Sequence, residues 1–159
     1  MATTAQNRSR KDNKYKAYPK SSSFAFNQGD LMYWDPAVPC MKALDSDAHA
    51  ATAFIGQSQD TNPVQDSLDI TGVVGASTQG IVQRAGIVSV IGTTGETYIE
   101  GQALYWATDA QHVTNVAGAN ILGYYVTPEN GTAQAAIAAG TEILMELQIL
   151  FPFPTMGIV

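Results

Sequence analysis

The chain has 159 residues, of which 45% are hydrophobic and only 14% are charged, and its net charge is −6. This length suits one domain with a substantial core, and no apolar run approaches the roughly 18–20 residues needed to cross a bilayer. The single cysteine, Cys40, excludes an internal disulfide framework and a cysteine-rich metal site. We therefore expect one domain without a membrane partner.

The basic residues are concentrated at the N-terminus. Positions 1–20 hold six of the eight, and with Asp12 they carry a net charge of +5, whereas the rest of the chain carries −11; the six are Arg8, Arg10, Lys11, Lys14, Lys16 and Lys20. Residues 1–22 are too polar to fold alone, so we predict an extended basic N-terminal arm. It could be a solubilising tail, a nucleic-acid arm or a tether to an acidic protein surface, but an acidic body would repel phosphates, so we expect no nucleic-acid partner.

Residues 23–150 alternate between short apolar segments and turns. The segments begin with Phe24 to Trp34, and Asp35–Pro39 and Thr93–Glu96 are typical turns. This spacing predicts an all-β fold, an antiparallel sandwich or barrel-like body, with a possible short helix at Ala133–Ala139. In the closing segment, Ile143, Met145, Leu147 and Ile149 alternate with other residues and predict a strand with one buried face.

One short motif occurs twice. The copies are Gly29-Asp-Leu-Met-Tyr33-Trp34 and Gly101-Gln-Ala-Leu-Tyr105-Trp106, and they contain both tryptophans of the chain. Glycine can open a strand with unusual backbone angles, and the adjacent Tyr and Trp then point to opposite faces. We expect one of each pair to be buried, with the tryptophans as matched structural anchors. An aromatic platform for a sugar or base is the alternative.

Residues 151–159 form an apolar, proline-broken C-terminal tail. Because this segment cannot be a regular strand, Phe151 and Phe153 are expected to occupy a groove on their own domain or on a neighbour.

The sequence contains no recognisable catalytic or metal-binding motif. The two histidines, His49 and His112, lack metal-binding spacing, and no nucleophile elbow or phosphate-binding loop occurs. We therefore expect a protein that is not an enzyme and has no metal or cofactor.

The segment from Gln79 to Leu147 resembles a family of small phage capsid decoration (cement) proteins. The motifs that carry this resemblance are Ile81–Ile87, Gly101–Trp106, Val113-Thr114, Ile121–Val126 and Ile143–Leu147. Gly29-Asp30-Leu31 is similar to a further stretch of that family, whereas the basic arm and the Pro-Phe-Pro tail depart from its pattern.

The resemblance implies a structural virion protein of a bacteriophage. Such a protein, made in the host cytoplasm, would bind the outer capsid surface, often as a homotrimer, and would bridge neighbouring major capsid subunits. The basic side chains of the arm, with Phe151 and Phe153, are then the candidate capsid-binding residues, and Tyr33, Trp34, Tyr105 and Trp106 are the structural core. The alternative is a β-sandwich module that binds a carbohydrate or receptor through Trp34 or Trp106. Buried tryptophans would favour the first hypothesis.

Overall fold

A computed structural model describes residues 14–62, 79–107, 111–118, 120–131 and 134–149. Within these ranges the chain is mostly β, as the sequence predicts. The strands are β1 (Tyr15–Pro19), β2 (Leu31–Asp35), β3 (Cys40–Ala43), β4 (Phe54–Ser58), β5 (Gln79–Gln83), β6 (Ile87–Gly92), β7 (Ala103–Trp106), β8 (His112–Thr114), β9 (Ile121–Val126) and β10 (Glu142–Leu147), and helix α1 spans Asp47–Ala53.

The ten strands form two copies of one five-stranded unit. The first copy, β1 to β5, has the strand order β1-β5-β4-β2-β3, and the second copy, β6 to β10, has the matching order β6-β10-β9-β7-β8. In the second copy β8 also pairs with β6, in parallel, so these strands close into a barrel. The repeated Gly-x-x-x-Tyr-Trp motif is therefore the part of this duplication that can be read from the sequence, and the duplication covers the whole body.

The duplication extends to individual hydrogen bonds. Gly29 N–H donates to Ser58 O and Gly101 N–H donates to Tyr125 O, each at 2.9 Å. Both glycines have positive φ, 97° and 80°, as the motif predicts. Irregularities in pairing fall at the same place in both motifs, between Met32 and Tyr33 in β2 and between Leu104 and Tyr105 in β7. Isolated bridges also recur at the spacing of the motif, Phe26 with Asn62 and Tyr98 with Gln134.

A glycine permits close strand contact in each copy. A Cβ at Gly56 would overlap the carbonyl oxygen of Gln83, and a Cβ at Gly123 would overlap that of Glu146. Both glycines follow the apolar pair that the sequence places after each motif, Phe54-Ile55 and Ile121-Leu122. These positions accept no side chain because neighbouring backbone occupies the space.

The two copies differ where the barrel closes. In the second copy β8 pairs with Ile91 and Gly92 of β6, but β3 lies beside β1 without a ladder between them. The residue of β1 that matches Ile91 is Pro19. Gly92 N–H donates to the carbonyl oxygen of Thr141, which directly precedes β10. Because hydrogen-bonding direction alternates along a strand, the N–H of Ile91 points to the other side, towards β8. Proline has no N–H to donate there, which explains why the first copy stays open.

The helix lies elsewhere than expected. Residues 134–139 contain no helix, whereas Asp47–Ala53 is helical and begins at Ser46, whose hydroxyl accepts from His49 N–H. The alanines of 133–139 favour a helix only weakly, and their described part pairs with neighbouring loops instead. Helix α1 lies in the longer of the two connections between motif and glycine, so it is an addition to the first copy.

Two hydrophobic clusters form the core. The smaller one fills the first copy and contains Tyr18, Phe26, Met32, Met41, Ile55 and Val82. The larger one fills the barrel and continues onto the opposite face of β2 and onto α1 and β4, through Leu31, Tyr33, Leu44, Ala50 and Phe54. Strand β2 is thus buried on both faces, and it joins the two copies into one body.

The body begins earlier than the sequence boundary at residue 23. Residues 1–22 were expected to form an arm, but Tyr15–Pro19 of that segment is a strand that pairs along its length with β5. Tyr18 lies in the core of the first copy. The side chains of Tyr15 and Tyr18 mark this strand in the sequence, and their pairing partner is β5 of the same chain.

Candidate interaction surface

The tryptophans of the repeated motif occupy matching positions with unequal burial. Trp106 is buried inside the barrel, and Trp34 points into the first copy but is only partly buried. The expectation that one residue of each pair is buried is confirmed by Tyr33 and Trp106. The expectation of two equal anchors is wrong for Trp34, because the first copy does not close over it. Tyr105 is partly buried.

Most described basic side chains lie along β1. Lys14 precedes the strand, Lys16 is within it and Lys20 follows it, and Arg84 at the end of β5 donates its backbone N–H to Lys14 O at 2.7 Å. The second copy has no lysine or arginine, since none occurs after Arg84 in the sequence. Charge is therefore distributed unequally between the copies, and most of the described basic groups lie in or beside β1 of the first copy.

The lysines of β1 contact aromatic rings. Nζ of Lys14 lies 5.4 Å from the ring centroid of Tyr15, and Nζ of Lys16 lies 4.9 Å from that of Tyr18. No salt bridge joins Lys14, Lys16 or Lys20 to an acidic side chain of the described residues. Burial raises the pKa of Tyr18, and the positive charge of Arg84 partly offsets that rise. Within the described ranges, the lysines in and beside β1 thus have aromatic contacts but no acidic partner.

On the open side of the first copy, beside these cations, the partly buried Trp34 packs against the buried Tyr18. The rings of Tyr18 and Trp34 lie 6.0 Å apart and are tilted by 42°. The residues of β6 that match Lys16 and Tyr18 are Val88 and Val90, and both are buried in the barrel. The first copy therefore has the exposed Lys16 where the second copy has the buried Val88, whereas Tyr18 is buried like its match Val90.

A further cation lies on β3 and is already paired. Nζ of Lys42 is 2.6 Å from a carboxylate oxygen of Asp35 and 3.8 Å from the ring centroid of Phe24. This hydrogen bond lowers the pKa of Asp35 and raises that of Lys42. The pair fixes the turn between β2 and β3 and leaves Lys42 committed within its own chain.

One further polar cluster involves helix α1. Nδ1 of His49 is 2.6 Å from a carboxylate oxygen of Asp45, and its ring stacks on Tyr33 at 4.1 Å. This contact docks α1 on β2. Across the described ranges, no three His, Cys, Asp or Glu side chains are grouped so as to hold a metal ion. None of the helices described there is long and apolar enough to cross a membrane.

The remaining candidate residues lie outside the described part of the chain. These are Arg8, Arg10, Lys11, Phe151 and Phe153, together with the rest of the tail. Sequence reasoning did not single out Arg84, which joins the basic strand through pairing between distant segments. Its sequence signal is that it is the only basic residue after Lys42.

The comparisons with known proteins are negative: no family model, no curated protein and no solved structure matches the chain.

Proposed function

We propose that this chain is a structural decoration protein that binds the outer surface of a viral icosahedral capsid and bridges neighbouring major capsid subunits. The observation that carries the proposal is that the family-like motifs between Gly101 and Leu147 fall, in order, on β7 to β10 of one complete barrel. The resemblance thus covers four of the five strands of this barrel, and its motif Ile81–Ile87 lies on β5 and at the start of β6.

The lysines in and beside β1 support a mode of attachment. Shell binding through Lys14, Lys16 and Lys20 places the first copy against the capsid and the acidic second copy away from it. An exposed ion pair contributes only about 0.2–1 kcal/mol, but these free energies add up over the three subunits of the homotrimer that we expect and over a symmetric lattice.

The test is co-sedimentation with shells assembled from the virus's major capsid protein. A deletion of residues 1–22 would remove β1 and damage the fold, so the useful truncation removes residues 1–13 only. A second variant carries Lys14→Glu, Lys16→Glu and Lys20→Glu in the full chain. We expect the triple variant to lose at least about tenfold in affinity at low salt, since three favourable pairs become repulsive.

The matched control is Glu142→Gln with Glu146→Gln, on the second copy, which should bind normally. If the wild type and the control are both folded and neither binds shells, the decoration function is refuted. Unaltered binding by the triple variant would refute this mode of attachment.

A second candidate function is recognition of a carbohydrate or receptor, and it is favoured by Trp34. Trp34 is partly exposed, and an indole ring can stack on the apolar face of a sugar. Its test is quenching of tryptophan fluorescence by sugars in wild type and in Trp34→Phe. Quenching that persists unchanged in Trp34→Phe excludes this site.

A further inference from the structure

One edge of strand β1, next to its lysines, has no ladder within the described residues, although β3 lies on that side. Arg84 N–H donates to Lys14 O, and β1 pairs with β5 in the register Lys16 with Val82 and Tyr18 with Gly80. Hydrogen-bonding direction alternates along an antiparallel strand, so Lys14, Lys16 and Tyr18 address β5. The backbone groups of Tyr15, Ala17 and Pro19 therefore point away from β5.

No described group pairs with the backbone of Tyr15 or Ala17 on that side. The second copy shows how the same edge is satisfied when it is closed. There, Ser89 matches Ala17, and its carbonyl accepts a 2.6 Å hydrogen bond from Nε2 of Gln57. Farther along β6, Ile91 and Gly92 pair with β8. In the first copy the matching edge lacks both the amide cap and the ladder within the described residues.

The chemistry around the edge specifies what could pair with it. An unpaired edge is a template for an added strand, whose backbone supplies the missing donors and acceptors. Lys14, Lys16 and Lys20 lie along this edge without a described acidic partner, and Tyr15 is 46% exposed beside them. A strand that adds here is favoured if it carries carboxylates.

We propose that the free edge of β1 at Tyr15 and Ala17 is a strand-addition site for an acidic, extended segment of a partner protein. This inference rests on the proposed function in one respect, since it takes the capsid subunit as the source of that segment. The second copy of the body cannot provide the partner strand from its barrel, because its strands already pair on both sides.

The experiment uses the full chain and a fluorescein-labelled peptide of ten alternating Glu and Thr residues. Its matched probes are a Lys/Thr peptide and an acidic peptide N-methylated at alternate residues, which blocks its donors along one edge. The readouts are fluorescence anisotropy and amide hydrogen exchange. We expect the acidic peptide to bind, to slow exchange of the Tyr15 and Ala17 amides at least about tenfold, and to bind better than both matched probes.

Two variants separate backbone pairing from charge. Ala17→Pro removes an N–H that points away from β5, so the β1–β5 ladder survives, as it does at Pro19. We expect it to weaken peptide binding about fivefold to tenfold, the effect of roughly one hydrogen bond. Lys16→Glu should weaken binding at low salt while leaving the edge amides in place. Thermal melting of each variant shows whether it is folded.

Three outcomes overturn the inference. One is absence of peptide binding by the folded wild type, which would indicate that the lysines prevent other strands from pairing with this edge. Another is binding that leaves the Tyr15 and Ala17 amides unprotected or tolerates N-methylation equally. The third is self-association of the wild type that Ala17→Pro abolishes, which would make a second copy of the chain the occupant. The assay contains no shell, so its failure leaves the decoration function standing, and failed shell binding leaves this result intact.

Discussion

At the residue scale, the hydroxyl of Tyr98 is a buried polar group of the second copy whose hydrogen bonds are satisfied by its own chain. It donates to a carboxylate oxygen of Glu96 at 2.7 Å and accepts from Thr93 N–H at 2.8 Å. The same carboxylate group accepts from the hydroxyl of Thr114 and from Asn115 N–H. The residues that match Glu96 and Thr114 in the first copy are Phe24 and Lys42, which form a cation–π contact. The two copies therefore use different interactions at the same position, hydrogen bonds in the second copy and a cation–π contact in the first.

Replacing Tyr98 with Phe tests this network. Tyr98 is 1% exposed, so the change leaves Thr93 N–H and one Glu96 acceptor site without their partner. We expect a loss of about 1–3 kcal/mol in the free energy of unfolding, measured by urea denaturation. Tyr15→Phe, on the exposed edge, should stay within about 0.5 kcal/mol. Equal effects of the two substitutions would contradict the network's role.

The same residue predicts a dependence on alkaline pH. Burial, and then the hydrogen bond to Glu96, raise the pKa of Tyr98 above its ordinary value. Since the neutral phenol is favoured in the folded state, its contribution is complete below about pH 10, the pKa of an unfolded tyrosine, and declines above it. The stability of Tyr98→Phe should therefore fall less steeply above pH 10 than that of wild type, as urea denaturation over a pH series would show.

At the element scale, the duplication explains which parts of the fold could be predicted. The repeated motif indicates β2 and β7, and alternation indicates β10, whose Ile143, Met145 and Leu147 are buried. Helix α1 has only seven residues, too few for a clear periodic pattern, and its alanines resemble those of 133–139; its local sequence signal is the N-cap Ser46.

The candidate surface was predictable only in part. The charge split in the sequence singles out Lys14, Lys16 and Lys20, but it predicts that they lie on an arm and not in or beside a strand of the body. The edge at Ala17 was not predictable, since it depends on which strand faces β1 and on the direction of its backbone groups. Local sequence signals contain neither kind of information.

The close contact between β9 and β10 at Gly123 predicts that even alanine at this position strongly destabilises the fold. A Cβ at Gly123 would overlap the Glu146 carbonyl and the Met145 side chain, which cannot both move without disturbing the β9–β10 ladder. We expect Gly123→Ala to cost about 1–3 kcal/mol or more, by thermal or urea unfolding. Gly131→Ala is the matched control, because no atom lies within 4 Å of its Cβ, and its positive φ of 72° should cost about 1 kcal/mol. A tolerated Gly123→Ala would show that the strands can separate there.

At the scale of the whole molecule, the two copies are coupled by side chains as well as by the shared core. The side-chain amide of Gln111 accepts from Leu31 N–H at 2.6 Å and donates to Leu44 O at 2.9 Å. Gln111 itself has a positive φ of 49°, a conformation that is costly for a residue other than glycine. The side chain of Gln111 thus pairs with the backbone beside β2 as a neighbouring strand would, and Gln111 belongs to the other copy.

Gln111→Ala should weaken this coupling. The change leaves the buried backbone N–H of Leu31 unpaired, so we expect a loss of about 1–3 kcal/mol and a single unfolding transition, because the core spans both copies. Gln28→Ala, at an exposed turn, should have little effect. Two separate transitions in the wild type, followed by differential scanning calorimetry, would contradict the description of one body.

In the attachment that we propose, the second copy is a closed barrel and the first copy binds the shell along β1. A cryo-electron microscopy reconstruction of shells decorated with the protein tests it most directly. We predict density for the first copy against the capsid, with the edge at Tyr15 and Ala17 next to an extended segment of a capsid subunit, and the second copy outermost. A reconstruction in which the barrel contacts the shell and β1 faces solvent would contradict it.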